Sequence, residues 1–242
     1  MNDNNQLDMD YIRDLYNNMP EIWPENDKWY TYTHDQIEKH LKKYAEREKI
    51  SDTMMVLDAG SGGNTYGIPG DHYHIDVAYE KIKHLPNAFL ASVEKMPFED
   101  EIFDYCMCVG SVINYCDPYK ALDEIRRVLK KDGKLFLDFD QSKSWEFVFT
   151  SNFNCNANII DTFNSGERDR TWVFSVNFIE GILKTLDMKV VKKHYYHSLS
   201  PLAYHFTYDD AKAAKYARLD KFVRYIPILN KISCNTIIEI EK

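Results

Sequence analysis

No run in this chain of 242 residues approaches the roughly 20 consecutive apolar residues that cross a bilayer, so neither a span nor a membrane partner is expected. The opening MNDNNQLDMD is polar and acidic. It lacks the basic start and apolar stretch of a secretory signal and the arginines of a transit peptide, so a cytoplasmic location is expected. Cysteine is scarce and odd in number: Cys106, Cys108, Cys116, Cys155 and Cys234. Three of the five fall in one apolar stretch, which fits reduced buried thiols better than a disulfide framework. Basic residues are outnumbered, 30 Lys and Arg against 38 Asp and Glu, for a formal net charge of -8. A chain built to grip polyanions carries the opposite sign, so nucleic acid is disfavoured as the main partner. Histidines are few and poorly placed for metal. His72 and His74 alternate on one strand and His194 and His197 lie three apart, so both pairs read as ordinary polar positions and no metal is expected. No internal repeat or low-complexity segment occurs, and no oligomeric state can be read. What is abundant is aromatic: 14% of the chain, including 17 Tyr, within a hydrophobic total of 44%. That content supports one large domain with one real core.

The chain divides by texture. Residues 7–50 read as helical, with Leu7, Tyr11, Leu15 and Tyr16 at helical spacing and a break around Pro20 and Pro24. A second helix is predicted from His34 to Glu48, with Ile37, Leu41 and Tyr44 on one face. From Met54 short apolar runs take over. MMVLDAG ends in an acid and a glycine-rich turn; HYHIDV (72–77), FLASV (89–93) and FDYCMCVG (103–110) read as further buried strands. Asp117 and Pro118 start a helix whose apolar face is Ala121, Leu122, Ile125, Val128 and Leu129, and Gly133 is expected to close it. KLFLDFD (134–140) is the fifth strand. Strands alternating with helices at this spacing predict an α/β fold, doubly wound, with a mostly parallel sheet. Later come a helix over 174–186, an edge strand over 188–196 and a final antiparallel strand over 235–241. Between these last two strands lies an insertion, 197–233, with one helix expected over 209–224. From Lys184 to Lys231 there are ten Lys and Arg against four Asp and Glu, read first as a solvated face. Two parts result: an N-terminal helical cap or lid, 1–50, and an α/β domain, 51–242, whose insertion is a possible substrate-side cover.

The first chemical signal is Asp58-Ala59-Gly60-Ser61-Gly62-Gly63-Asn64, directly after a strand, where a helix N-terminus could follow. Asp76 ends the next strand, where an acid can accept both hydroxyls of a ribose. A dinucleotide dehydrogenase and another nucleoside binder both fit so far. Asp58 separates them, because a carboxylate beside the turn repels a pyrophosphate and tolerates an ammonium or sulfonium. The turn is also G-S-G-G-N rather than G-x-G-x-x-G.

VLDAGSGGNTYG, HYHIDVA, ASVEKMPFEDEIFDYCMC and RRVLKKDGKLFLDFD, in this order between Met55 and Asp140, resemble the core of a class I S-adenosylmethionine-dependent methyltransferase, in its small-molecule, type 11-like branch. The resemblance implies a seven-stranded Rossmann-like sheet and S-adenosylmethionine as cofactor. It implies cofactor contacts from Asp58, Ala59, Gly60, Ser61 and Gly62 in the turn, from Asp76 and Val77, from Ser92, Val93 and Glu94, and from Val109 and Gly110. Asn64 stands where many members have a third glycine, and Ser92 where many have an acid facing the adenine amino group. Met96-Pro97-Phe98 matches a structural turn of the family. Cys116-Asp117-Pro118-Tyr119 superficially resembles the D-P-P-Y signature of amino-directed nucleic-acid methyltransferases, but it starts a helix rather than ending a strand.

Methyl transfer from a sulfonium is an in-line displacement, so the protein aligns the acceptor, excludes water and, where needed, takes a proton. No catalytic residue stands out; Tyr30, His34, Asp140 and His197 are the candidates. The aromatic segment Trp23 to His34 reads equally well as a lid over the cofactor or as cover for the sheet. The expected function is methylation of an O or N atom of a small metabolite or natural product. The alternatives are RNA or protein methylation using the basic insertion, and a catalytically inactive binding subunit.

Overall fold

The computed structural model describes residues 7–164, 167–207, 209–223 and 225–242. Two N-terminal helices, α1 (Met9–Asn18) and α2 (Lys28–Glu48), precede the alternating region. That region holds β1 (Met55–Ala59), β2 (Asp71–Asp76), α3 (Tyr79–Ile82), β3 (Ala88–Leu90), β4 (Phe103–Cys108), α4 (Pro118–Val128) and β5 (Leu129–Asp140). Beyond it lie β6 (Ala157–Asn164), β7 (Glu167–Phe174), α5 (Val176–Thr185) and β8 (Lys189–Tyr196). The insertion carries α6 (Leu199–Thr207), α7 (Asp210–Ala213), α8 (Asp220–Val223) and α9 (Pro227–Asn230), and β9 (Asn235–Glu241) follows. Seven strands form one sheet in the order β3-β2-β1-β4-β5-β9-β8. The first five are parallel, β9 is antiparallel to both neighbours, and β8 is an edge as expected. β6 and β7 pair separately as a two-stranded ribbon.

Strand alternation distributes the core. Leu57, Cys106, Cys108, Leu135 and Leu137 face α4 and α5, and the intervening Val56, Tyr105, Met107 and Phe136 face Ile37, Leu41 and Tyr44 of α2. α2 takes a place that a crossover helix would otherwise fill, because β1 passes to β2 through residues 60–70 without one. The helix N-terminus that could have followed the glycine turn is therefore not there.

Other elements differ from expectation for local reasons. α2 begins at Lys28, not His34, because the Asp27 carboxylate caps it by accepting from Trp29 and Tyr30 N–H. Asp117 caps α4 as expected, through Tyr119 and Lys120 N–H. Gly133 does not close that helix: Leu129 is already extended and the left-handed residue is Asp132, φ 63°. The helix predicted over 209–224 is broken into α7, a 3-10 stretch (Ala214–Leu219) and α8. The β6–β7 ribbon had no sequence assignment, since its strands mix charged and apolar residues without clean alternation.

Candidate active site at the carboxyl edge of the sheet

At the end of β1 the chain reverses through Gly60 (φ 78°) and Gly62 (φ 56°), a conformation costly for residues with a Cβ. A Cβ on Gly60 would also come within 2.4 Å of the Val112 side chain. The turn is held by Gly60 and Ser61 N–H groups, which donate to the Ile75 carbonyl at 2.9 and 3.1 Å. The Asp76 carboxylate accepts from Gly62 N–H and Ala78 N–H, both at 2.8 Å. Burial raises its pKa, and these amides act in the opposite sense by stabilising the charged form. Beneath the turn the Asp58 carboxylate is buried, and neither oxygen has a hydrogen-bond partner among the described residues. His74 Nδ1 stands 3.4 Å away, and burial raises the Asp58 pKa.

These residues form one wall of a cavity whose empty space, mouth included, is about 770 Å³. Ala91, Ser92 and Val93 after β3 and Val109 and Gly110 after β4 line it further, with Val112, Tyr115 and Cys116. Its cover comes from the N-terminal part: Met9, Ile12 and Tyr16 of α1, then Ile22 and Trp23. Trp23 packs so closely that a Cβ on Gly110 would lie 3.2 Å from its ring. The Tyr11 hydroxyl donates to the Arg168 carbonyl of β7 at 2.5 Å. The Tyr16 hydroxyl donates to that of Tyr115 at 3.0 Å, and Tyr115 donates to the buried Asp169 carboxylate at 2.6 Å. The otherwise unanticipated ribbon thus anchors the cover. Helical spacing placed Tyr16 on an apolar face but carried no sign of its hydroxyl partners. Tyr115→Phe removes the middle of this chain and leaves a buried carboxylate short of a donor. We expect a stability loss of about 1–3 kcal/mol, with faster proteolysis in residues 7–27 than in the wild-type protein.

The cofactor residues inferred from the resemblance largely meet here. Gly60, Ser61, Gly62, Asp76, Val77, Ser92, Val93, Val109 and Gly110 line the cavity, whereas Asp58, Ala59 and Glu94 do not. Glu94 instead accepts the Asp117 N–H at 2.8 Å, at the start of α4. The Ser92 hydroxyl accepts the Glu94 N–H at 3.1 Å.

None of the four catalytic candidates is on the cavity wall. Tyr30 packs edge-on to Trp23, with ring centroids 6.3 Å apart. His34 lies against Trp23 and Tyr66, each at 5.4 Å, and contacts the Asn64 amide. Asp140 is enclosed by Ser111 Oγ at 3.0 Å and the Asn235 amide, and burial raises its pKa to about 6. His197 is stacked on Trp29 at 4.2 Å, with Thr33 Oγ1 3.0 Å from its Nε2; burial lowers its pKa to about 3.

Asp138 was not anticipated, since a strand alternation that buries Phe136 buries it too. Its carboxylate accepts from Tyr196 Oη at 2.7 Å and from Gly110 and Ser111 N–H at 3.2 and 3.3 Å, so it fixes the cavity wall after β4. Burial raises its pKa to about 7, and the Tyr196 hydroxyl acts against that shift. The folded protein therefore binds a proton here that the unfolded chain has released above about pH 4. This group's contribution to stability falls as pH rises toward 7 and is constant beyond. Asp138→Asn is expected to flatten that decline in denaturation experiments across the acid-to-neutral range.

Residues 52–137 match the family described as "Methyltransferase domain". An uncharacterized protein of Methanocaldococcus jannaschii is 31% identical over 109 residues, 43% of this chain and 46% of that protein. A 2-phytyl-1,4-naphtoquinone methyltransferase of Trichormus variabilis is 25% identical over 155 residues, 56% of this chain and 68% of that protein. The chain thus spans about half the length of the first curated relatives it matches. Among solved structures, the Burkholderia thailandensis 1,6-didemethyltoxoflavin-N1-methyltransferase, with bound 1,6-didemethyltoxoflavin and S-adenosylhomocysteine, has TM-score 0.55 at 12% identity. That likeness of fold covers 97% of this chain and 86% of the other. Residues 52–137 are thus similar to a methyltransferase domain, and the sheet shares its Rossmann-like fold with solved structures of S-adenosylmethionine-dependent methyltransferases.

Proposed function

We propose that this protein transfers the methyl group of S-adenosylmethionine to an O or N atom of a small molecule, and that the cavity between the sheet edge and the N-terminal cover holds both reactants. The observation that carries the reading is Asp76: an acid at the carboxyl end of β2, on the cavity wall, oriented by the amide of the glycine turn itself. The residues fit the cofactor. Two carboxylate oxygens suit a ribose diol, and Gly60 and Gly110 leave room for Val112 and Trp23 to close on the cavity wall. The Asp58 carboxylate, buried behind the turn with His74 Nδ1 3.4 Å away and no hydrogen bond among the described residues, adds negative character behind the wall that suits a bound ammonium. No helix N-terminus meets the turn, which disfavours a dinucleotide pyrophosphate.

When bound, the cofactor supplies an electrophilic methyl group. The chain's own work is then positional. Asp76 would accept the ribose hydroxyls, Val93 would offer backbone N–H to the adenine, and Ser92 would lie alongside. Trp23, Ile22, Ile12 and Met9 would keep water from the reacting atoms. Tyr16, Tyr115 and Asp169 form a hydroxyl chain from the cavity to a buried carboxylate, a route for a proton released by the acceptor. Two of the proteins described above are named for methylation of a naphthoquinone and of a toxoflavin nitrogen, and both support a small-molecule acceptor.

The test is to incubate the protein with methyl-tritiated S-adenosylmethionine and panels of phenols, quinols, amines, bulk RNA and proteins. Labelled small-molecule product is expected. Label confined to RNA or protein, or cofactor binding without transfer to any panel, would overturn the reading.

A further inference from the structure

The insertion between β8 and β9 returns to the same end of the sheet as the cavity. Tyr196, which precedes it, pairs with Asn235, which follows it, and Asn235 pairs with Asp140 at the carboxyl end of β5. Its 211–223 stretch is amphipathic. Ala213, Ala214, Ala217, Asp220 and Val223 are buried, while Lys212, Lys215, Tyr216, Arg218, Lys221 and Phe222 are exposed.

The exposed set is unusual for a solvated face. Phe222 is 60% exposed, Tyr225 71%, Ile226 49% and Phe206 79%. Two of its carboxylates are engaged within the fold. Asp220 is buried, accepting Ser198 and Leu199 N–H at 3.0 Å each, and Asp209 pairs with Lys212 at 3.0 Å. Lys215, Arg218 and Lys221 make no ion pair among those found in the described residues, and Lys221 Nζ sits 5.0 Å from the Phe222 ring centroid. Cations interleaved with large apolar side chains, on a chain whose net charge is -8, mark a local surface of the sign opposite to the whole.

We propose that the described part of residues 209–223, with Ile226, docks the protein on an anionic lipid bilayer, with Lys215, Arg218 and Lys221 over the headgroup phosphates and Phe222 and Ile226 inserted at the interface. The chemistry favours lipid over nucleic acid. Phe222 and Ile226 lie close together in the chain as an aromatic and an aliphatic side chain, and three cations are few to track a phosphate backbone, whereas both features serve a shallow amphipathic anchor. The sequence-based expectation of no membrane partner rested on the lack of a span; an interfacial anchor requires none. Among the described residues no helix is long and apolar enough to cross a membrane. Docking by this edge would bring the cavity end of the sheet toward the bilayer.

Co-sedimentation of the full chain with vesicles tests this, using phosphatidylcholine alone and phosphatidylcholine mixed with phosphatidylglycerol. Binding is expected to the mixed vesicles, weakening as salt is added, with little binding to phosphatidylcholine alone. The triple variant K215E/R218E/K221E should lose binding by about tenfold or more. F222S/I226S should also lose binding while retaining the wild-type melting profile and S-adenosylmethionine affinity. No binding to either vesicle, salt-insensitive binding, or equal binding by the folded variants would overturn the proposal, as would binding to polyuridylic acid without binding to vesicles.

Discussion

Asp76→Ala is expected to weaken S-adenosylhomocysteine binding by about two to four orders of magnitude, the largest effect of any single substitution in the cavity. The size follows from two hydrogen bonds between a carboxylate and the ribose diol, each contributing about 1.5–3 kcal/mol. The variant also releases Gly62 and Ala78 N–H from their acceptor, so the turn loses part of its support. Asp76→Asn separates these effects. It keeps one carbonyl oxygen as an acceptor but replaces the other with a donor, and its affinity should fall between wild type and alanine. Titration calorimetry on folded variants decides the matter. Affinity within about threefold of wild type for Asp76→Ala would place the ribose elsewhere.

The second large effect is on folding. Gly60→Ala places a methyl group where φ is 78° and where Val112 methyl carbons would stand at 2.4 and 2.5 Å. The left-handed backbone costs about 1–2 kcal/mol for a residue with a Cβ, and overpacking adds about 1–3 kcal/mol. A total loss of about 2–5 kcal/mol is expected by urea denaturation. Pairing it with Val112→Ala should recover only part of the loss. The two nearest methyls go, but the Val112 Cβ remains 3.0 Å away and the backbone strain stays. A single variant as stable as wild type would mean that the turn rearranges freely.

How much was legible beforehand follows from where the determinants lie. The turn and Asp76 could be read because local signals, an acid and glycines at strand ends, coincide with the cavity wall. The same holds for α4, whose cap and apolar spacing are contiguous in sequence. The ribbon β6–β7, the Tyr16–Tyr115–Asp169 chain and Asp138 could not, since each is defined by partners distant in sequence. His197 shows the opposite failure. A histidine near a strand end looked chemically available, yet stacking on Trp29 and full burial leave it with a structural environment. The crossover helix that did not form was also invisible locally, because α2, earlier in the chain, covers that face instead. The aromatic N-terminal segment was read equally as a lid or as sheet cover. Trp23 lines the cavity, while both Tyr32 and Trp23 pack against the core on the α2 side of the sheet.

The central claim is that this cavity holds S-adenosylmethionine. Calorimetric titration of the full chain with S-adenosylmethionine, followed by competition with NADH, tests it most directly. The account predicts saturable binding at one site, weakened by about two orders of magnitude or more in Asp76→Ala and unaffected by NADH. A folded protein that releases no binding heat with S-adenosylmethionine and shows no binding by equilibrium dialysis, or one from which NADH displaces it, would contradict the account.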